Sequence, residues 1–454
     1  MIKSILEKID RGFLCISCGY FEKRFWNRYV DRCPVCGGFM IPVVNEIPKP
    51  VDQPGVWRWS EGLLTPEIKS KITLFEANTP LIRFDTLGRR YKIKNLLIKD
   101  EARNPTGLFM DRGSAVATSV LSSMGVKNIT IISTGDLAFS MGVYARRAKM
   151  RTFVVLPSNT LPSKILRARI VNSRVTIYDS YESALRISDL YDRYYTRYRK
   201  RYFILHSNPY LMNGYQTILF EIINELGSPP NLIVIPFGDG ALMTSLVSVV
   251  ERMNLRIKIL GVRASVTSPV FSEIRVEKPL LREQLETMIK DTRHEIIEVS
   301  DKLIREALIR ASREEGFPID PIAATGLAGL ESYYPHIAGY DTAVIIATAG
   351  GMLNDPVIMK SIIGSIKTDE ISLGFVKEKI LEILIEEGGM PAYRLWKYLK
   401  DKYDVRLSLR TIYNHLRELE RMGLVTRKSD YDPDEDRMRR FYVASDDAYM
   451  RILR

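Results

Sequence analysis

Four short runs of β-branched and aliphatic residues alternate with helical patterns in the middle of the chain. They cover residues 128–133, 152–157, 231–236 and 342–347. The first run is followed by a small-residue turn and a helical pattern that continues to Arg147. Buried strands that alternate with helices favour a mostly parallel sheet covered on both faces. The sequence therefore predicts an α/β fold that binds ligands in the turns at the carboxyl ends of its strands.

The pattern changes after about residue 365, where the polar stretch 364–370 predicts a linker. Three helices are expected beyond it: the first covers 376–387, the second begins at Pro391, and the third begins after its cap, Ser408. Two strands then follow, 424–428 and 439–443, joined by the polar loop 429–437. Three helices and a β-hairpin within residues 371–454 predict a winged helix-turn-helix domain.

The third helix of this domain would carry the residues that read a DNA sequence, because its N-terminal half would lie in the major groove. Arginine can bond a guanine edge, and asparagine an adenine edge. The candidates are Arg410, Thr411, Tyr413, Asn414 and Arg417 for bases, with Arg427, Lys428, Arg437, Arg439 and Arg440 for phosphates near the wing. The net charge of +12 agrees with double-stranded DNA as a partner, although a solvated basic surface explains it equally well.

Residues 408–425 resemble the recognition helix and wing entry of winged-helix transcription regulators. A winged helix used for protein contacts is the alternative. The wing tip also carries an acidic run that would repel phosphate unless it points away: Asp430, Asp432, Asp434, Glu435 and Asp436.

All four cysteines lie near the N-terminus in two pairs, Cys15 with Cys18 and Cys33 with Cys36. A glycine follows each pair, where a metal-binding turn needs a backbone that is free to bend. Two such turns can place four thiolates around one zinc ion. Two disulfides are the alternative, which a cytoplasmic setting disfavours. Residues 1–50 therefore predict a zinc ribbon, whose four protein ligands would make the metal structural rather than catalytic.

A length of 454 residues suggests about three domains, and the patterns place them at residues 1–50, 51–365 and 371–454. No run approaches the roughly 18 to 20 apolar residues that a membrane-spanning helix needs. The first residues include acidic side chains and lack the apolar segment of a signal peptide. We therefore expect a cytoplasmic protein without membrane contact.

Three motifs occur in order in the central region. They are EANTPL over residues 76–81, KDEARNPTGLFMDR over 99–112 and NPYLMNGYQT over 208–217. They resemble the EGxTPL, KDE…NPTGSFKDR and NPxxxxGxKT segments of the threonine synthases, which belong to the tryptophan-synthase-β-like family of pyridoxal-phosphate enzymes. The resemblance covers roughly residues 10–360 and implies a two-lobed fold of that family, as well as a homodimer.

The chain departs from the family where the resemblance implies cofactor contacts. Met110 stands in place of the lysine that would form the internal aldimine, and a thioether cannot condense with an aldehyde. Asp136 replaces the asparagine expected to bond the ring oxygen of the cofactor, and Phe139 adds bulk to the same turn.

Two further departures concern the phosphate and the pyridine nitrogen. The loop Gly238-Asp239-Gly240-Ala241 stands where the family has a GNGG-type phosphate cradle, so Asp239 adds like charge against a dianion. Residues 349–356, beginning with Ala349, replace the segment TGxGLKDP, and the threonine partner of the nitrogen is gone or shifted. We therefore do not expect pyridoxal phosphate to be bound as a covalent aldimine.

Lys99 lies in the retained KDE segment, and Lys164 matches a helix lysine that follows the turn at Pro162. The resemblance implies that neither position approaches the cofactor aldehyde. The histidines suggest no catalytic triad and are expected to be surface or packing residues: His206, His294, His336 and His415.

These features favour a DNA-binding transcription regulator in which a catalytically inactive, threonine synthase-like body senses a small metabolite similar to an amino acid. The first alternative is a pyridoxal-phosphate-dependent lyase of the threonine synthase type with a regulatory winged-helix domain. The second is an inert scaffold that docks on another enzyme.

Overall fold

The structure is a computed structural model. It describes residues 6, 9–25, 30–68, 70–172, 174–178, 201–265, 279–337, 340–350, 375–403, 405, 407–432, 437–445 and 448. The chain divides into two compact units, Met1–Asp355 and Pro356–Arg454, which are described separately. Within the described ranges, no helix combines the length and apolar character needed to cross a membrane.

The strands of the first unit are β1 (Gly12–Cys15), β2 (Phe21–Glu22), β3 (Met40–Val43), β4 (Leu81–Arg83), β5 (Asn95–Asp100), β6 (Asn128–Ile132), β7 (Arg151–Pro157), β8 (Arg174–Tyr178), β9 (Arg201–Ile204), β10 (Leu232–Pro236), β11 (Lys258–Ala264), β12 (Glu295–Val299) and β13 (Thr342–Ala347). Its α-helices are α1 (Asp85–Arg90), α2 (Met110–Ser123), α3 (Asp136–Arg147), α4 (Pro162–Val171), α5 (Pro209–Leu226), α6 (Ala241–Arg252), α7 (Arg282–Ile289), α8 (Asp301–Glu314) and α9 (Pro321–Tyr333).

Two sheets carry this unit. The larger sheet has the strand order β12-β11-β10-β13-β5-β4, and its strands run parallel except for β4, which is antiparallel to β5. The smaller sheet has the order β8-β7-β6-β9 and is parallel throughout. The predicted α/β class with a mostly parallel sheet is therefore confirmed, and strands β6, β7, β10 and β13 coincide with the four runs recognised in the sequence to within one residue at each end.

The N-terminal residues pack on the α/β body. Strands β2, β1 and β3 form a small antiparallel sheet. The ring of Phe13 lies 5.2 Å from that of Tyr210 in α5, and the Gln216 amide donates to the carbonyl of Pro42 in β3. The described residues between Leu6 and Pro50, expected as part of a separate domain, therefore contribute to the hydrophobic core of the first unit.

The second unit contains helices α10 (Phe375–Glu386), α11 (Ala392–Tyr403) and α12 (Leu409–Arg421) with strands β14 (Met390–Pro391), β15 (Val425–Asp432) and β16 (Arg437–Ala444). The strands form a sheet of order β14-β16-β15. Ser408 caps α12 as expected, because its hydroxyl accepts the backbone N–H of Thr411. The hairpin strands are longer than predicted, since cross-strand pairing continues to Asp432 and Arg437 and converts most of the expected loop 429–437 into strand. The linker at 364–370 lies outside the described residues.

Candidate functional site

A cavity of about 120 Å³ lies at the carboxyl ends of strands from both sheets of the first unit. Its walls come from the turns that follow β5, β6, β9, β10 and β13, from the first turns of α2, α3 and α4, and from helices α6 and α9. The lining residues are Leu108, Phe109, Met110, Thr134, Asp136, Lys164, His206, Pro236, Phe237, Gly238, Asp239, Gly240, Leu242, Met243, Ile322, Thr348 and Ala349. This is the location predicted for a ligand in a parallel sheet.

All six residues assigned to the cofactor pocket from the sequence line this cavity: Met110, Asp136, Gly238, Asp239, Gly240 and Ala349. Met110 is the first residue of α2 and is half-buried. It is held near Ala349 because Leu108 pairs with Ala349 in a β-bridge and the N–H of Phe109 donates to the carbonyl of Thr348. The structure thus unites residues that lie far apart in the sequence.

The cavity also contains an ion pair that the sequence did not indicate. The Nζ of Lys164 lies 3.0 Å from Oδ2 of Asp136, and the Lys164 residue is only 6% exposed. Its aliphatic stem crosses Gly135, where a Cβ atom would lie 2.8 Å from the Lys164 Cβ. Gly135 has a φ of 126°, which disfavours other residues as well. Lys164, at a position that the family resemblance does not bring near the cofactor aldehyde, therefore lines the cavity beside Asp136.

Helix α4 holds Lys164 in place through contacts to two other walls. Pro162 occupies the first turn of this helix, where a missing N–H costs nothing. One turn further on, the guanidinium group of Arg167 donates to the carbonyl of Thr106 and lies 4.2 Å from the centre of the Phe139 ring. Phe139, noted in the sequence as a bulky substitution, is thus a stacking partner for Arg167.

The loop before α6 has the backbone form of an anion site but carries its own anion. Gly240 adopts a positive φ of 95°, and α6 begins directly after it. Oδ1 of Asp239 accepts the N–H of Ala241, and Oδ2 lies 3.2 Å from Nδ1 of His206. A carboxylate is favoured at a helix N-terminus for the same reason as a phosphate group. His206, expected to be a surface or packing residue, therefore lines the cavity.

Asp111 follows Met110 and is almost completely buried. Its carboxylate accepts hydrogen bonds from the N–H and hydroxyl of Thr106 and from the hydroxyl of Ser140. Burial raises the pKa of Asp111 to about 6. The three hydrogen bonds lower this pKa, and the negative charge of Glu76 raises it, but both effects are smaller than that of burial. The residue fixes the start of α2 against α3.

The retained motifs build a buried charge network that holds this site together. The guanidinium group of Arg112 donates to both carboxylate oxygens of Glu101 and of Glu221, over 2.7–2.8 Å. The Nζ of Lys99 lies 3.0 Å from Glu221 and 2.7 Å from Glu225. Burial opposes ionisation of Glu221, but Arg112 and Lys99 lower its pKa to about 2. Lys99 therefore stabilises the buried charge network and does not line the cavity.

The four cysteines form a cluster in which all Sγ atoms lie within 4.8 Å of one another. The Sγ–Sγ distances are 3.5 Å for Cys15 and Cys36 and 3.5 Å for Cys18 and Cys33. Thiolates about 2.3 Å from a zinc ion in a tetrahedron would be about 3.8 Å apart. The N–H groups of the glycines after each pair donate to the carbonyls of Cys15 and Cys33, so the two turns are alike. The cluster is compatible with a zinc ribbon.

The second unit exposes most of the residues predicted to read bases. Arg410, Tyr413, Asn414 and Arg417 are exposed around a depression on α12, whereas the Thr411 hydroxyl is occupied by Ser408. Among the predicted phosphate contacts, Lys428 and Arg440 are exposed and Arg427 pairs with both carboxylate oxygens of Glu420. Arg437 and Arg439 lie opposite Asp432 and Asp430 in the hairpin register. Residues 433–436 of the acidic run lie outside the described residues.

Two curated relatives share most of their length with this chain. The threonine synthase of Methanosarcina acetivorans is 26% identical over 379 residues, which cover 75% of this chain and 92% of that protein. The threonine synthase of Methanocaldococcus jannaschii is 25% identical over 385 residues, with 75% and 92% covered. Among solved structures, the processed form of threonine deaminase isoform 2 from Solanum lycopersicum superimposes with a TM-score of 0.52 at 18% identity, covering 74% of this chain and 96% of that one.

These relatives contradict the expectation of a transcription regulator with a catalytically inactive body. The curated proteins that match nearly over their full length are named as synthases, and none of the comparisons supports DNA-binding regulation. The retained motifs, rather than the absence of a lysine at position 110, therefore agree with these relatives. The alternative considered from the sequence, an enzyme of the threonine synthase type, agrees better with the relatives.

The family model that matches this chain describes a pyridoxal-phosphate dependent enzyme and covers residues 72–349. This range includes both parallel sheets from β4 onward and every residue that lines the cavity. The chain belongs to the family of pyridoxal-phosphate dependent enzymes.

Proposed function

We propose that the chain is a pyridoxal-phosphate-dependent enzyme of the threonine synthase type, which acts on an amino acid. The family match and the relatives named threonine synthase support this proposal. The observation that carries it is the cavity itself, which combines a buried amine, a glycine-rich loop before a helix N-terminus and a position at the carboxyl ends of the strands. Bound pyridoxal phosphate would act as an electron sink for bonds at the substrate α-carbon.

The residues of the cavity fit this cofactor at its aldehyde end. The aldehyde needs an amine, which Met110 cannot provide although it occupies the position of the family's lysine. Among the described lining residues, Lys164 is the one with an amine. Asp136, the partner of Lys164, replaces the asparagine that the family resemblance assigns to the ring oxygen, so the amine lies at that end of the cavity.

The loop before α6 can hold the phosphate group of the cofactor after one side chain, that of Asp239, has moved. The N–H groups at the start of α6 and the positive φ of Gly240 form a backbone cradle. Asp239 now accepts the N–H of Ala241, so this side chain must turn away before a phosphate oxygen can take its place. The imidazole of His206, whose Nδ1 lies 3.2 Å from Asp239, would then lie beside the phosphate group.

The experiment that tests this proposal measures cofactor binding and turnover with the full chain. Purified protein is titrated with pyridoxal phosphate and followed by its visible absorption spectrum. It is then supplied with amino acids that carry a leaving group on the side chain, and threonine and other products are identified by mass spectrometry. We expect saturable binding and a product that requires the cofactor. Absence of both binding and turnover would reject the proposal.

Other expectations stay predictions. We propose that the cysteine cluster binds a structural zinc ion, which metal analysis of the purified chain at one zinc per chain would support. The second unit has the helix and strand order expected of a winged helix, and the exposed residues of α12 keep double-stranded DNA as its proposed partner. A homodimer and a small-molecule effector are likewise proposals. The homodimer rests on the family resemblance and on the paired half-sites that winged helices commonly read.

A further inference from the structure

We propose that Lys164, rather than a residue at position 110, is the amine that binds the cofactor aldehyde in this chain. This inference rests on the proposed function. It assigns the covalent attachment point to helix α4 of the smaller sheet's lobe, whereas the sequence motif would place it at the start of α2. The two positions face one cavity, since both Met110 and Lys164 line it.

The first argument is that Lys164 is built into the cavity wall. A lysine on a solvated helix face keeps its ammonium group in water, but this residue is 6% exposed and its stem lies across the turn at Gly135. The tight contact with Gly135 requires the absence of a side chain there. Burial of a cationic group is costly unless it is paired, and the ion pair with Asp136 offsets this cost and keeps the amine within the cavity.

The second argument concerns what holds the amine. Asp136 lies 3.0 Å from the Nζ of Lys164, so its carboxylate positions the amine at this end of the cavity. The ammonium group releases one proton to solvent, and the neutral amine attacks the aldehyde carbon. A carbon–nitrogen bond forms, the carbonyl oxygen leaves as water with the two nitrogen-bound protons, and a carbon–nitrogen double bond remains. The step needs no oxidant or reductant.

The third argument is that other buried lysines are engaged elsewhere. Lys99 is bound by Glu221, Glu225 and the carbonyl of Thr79. Lys258 pairs with Glu295 and donates to the hydroxyl of Tyr333. Neither residue lines the cavity in the described part of the chain, so neither competes with Lys164 for a ligand bound there.

The test traps the bond and locates it. The full chain is mixed with a sub-stoichiometric amount of pyridoxal phosphate, reduced with sodium borohydride, digested with a protease and analysed by mass spectrometry. Reduction adds hydride to the carbon of the double bond and leaves a stable secondary amine. We expect the pyridoxyl group on the peptide that contains Lys164, at an occupancy at least ten times that of any other lysine.

Two variants sharpen the result. Lys164→Arg keeps a cation beside Asp136 but cannot condense with the aldehyde, so the label and the visible absorption band should be lost. The matched control is Lys302→Arg, because the Lys302 side chain is 84% exposed on α8 and away from the cavity. Circular dichroism and thermal unfolding report whether each variant folds, and the mapping in the unchanged chain does not depend on either variant.

The outcomes separate this inference from the proposed function. Label on Lys164 that disappears in Lys164→Arg supports both. Cofactor-dependent turnover with the label on another lysine, or with no reducible bond, overturns the assignment of Lys164 and leaves the enzyme proposal standing. Absence of cofactor binding and of turnover in the unchanged chain rejects both.

Discussion

The carboxylate of Asp239 accepts the backbone N–H of Ala241 over 3.1 Å, at the point where helix α6 begins. The chain thus places one of its own anions where the partial positive charge of the helix N-terminus would attract a phosphate group. Neutralising this side chain without changing its shape separates the effect of its charge from that of its hydrogen bond.

We expect Asp239→Asn to bind pyridoxal phosphate more tightly, by about 10-fold or about 1.4 kcal/mol. Asparagine retains an oxygen that can accept the N–H of Ala241, while the repulsion between a carboxylate and a dianion is removed. Spectroscopic titration gives the dissociation constant. The matched control is Asp341→Asn, an exposed position that should leave the constant unchanged. Equal or weaker binding in Asp239→Asn would show that the phosphate does not approach this loop.

The ion pair of Lys164 and Asp136 should contribute to stability in the absence of any ligand. Removing one partner leaves the other largely buried without its counter-charge, so we expect Asp136→Asn and Lys164→Met each to lower the free energy of unfolding by about 1–3 kcal/mol. The double variant should recover part of that loss, with a coupling energy of about 0.5–3 kcal/mol. Urea unfolding of the four proteins measures it, and additive losses would mean that the pair does not form.

The buried carboxyl of Asp111 should make stability depend on pH. Its folded pKa of about 6 lies above the ordinary value of 3.8, so the unfolded state releases this proton at lower pH than the folded state does. The contribution of Asp111 is fully favourable below about pH 4 and is lost as the pH rises through 6, on the order of 2–3 kcal/mol in total.

Measurement of unfolding free energy from pH 4 to 8 in the unchanged chain and in Asp111→Asn isolates this contribution. The difference between the two proteins should change by that amount across the interval. The variant cannot titrate, although it loses the hydrogen bond from the N–H of Thr106, so its absolute stability is not the readout. A difference that stays constant with pH would contradict a raised pKa.

The sequence predicted the positions of the central strands because runs such as 231–236 and 342–347 are β-branched and buried on both faces. The family resemblance assigned Met110, Asp136 and Asp239 to one cofactor pocket, and they line one cavity because turns at the carboxyl ends of parallel strands converge. Such convergence follows from topology and does not require knowledge of side-chain packing.

Lys164 and His206 were missed for a physical reason. Each is a single polar residue whose burial depends on long-range contacts, such as that between Arg167 and Thr106, which the local sequence does not specify. The glycine at position 135 was the available signal, because it permits close approach of another chain segment, but it does not say which segment approaches. The departures at Met110, Asp136 and Asp239 predict an inactive body, whereas the retained motifs agree with the family match.

Position 110 offers a direct comparison of the two attachment points. Met110 is half-buried at the first turn of α2 and lines the same cavity as Lys164, so a lysine introduced there would have its amine in reach of the same ligand. In the double variant Met110→Lys with Lys164→Arg, we expect borohydride reduction to attach the pyridoxyl group at position 110 and the visible absorption band to return.

The matched control is Met124→Lys with Lys164→Arg, because Met124 follows the same helix and is 38% exposed away from the cavity. This control should remain unlabelled, since an amine in solvent gains nothing from the cradle at α6 or from the walls that orient the aldehyde. Label in the Met110→Lys double variant but not in the Met124→Lys double variant would mean that the cavity binds the cofactor as the family motif implies. The unchanged chain would then differ from the family only in its attachment point, which would lie on α4. Equal labelling of both double variants would instead indicate reaction with any accessible lysine, and would remove the support that the cavity gives to a specific cofactor site.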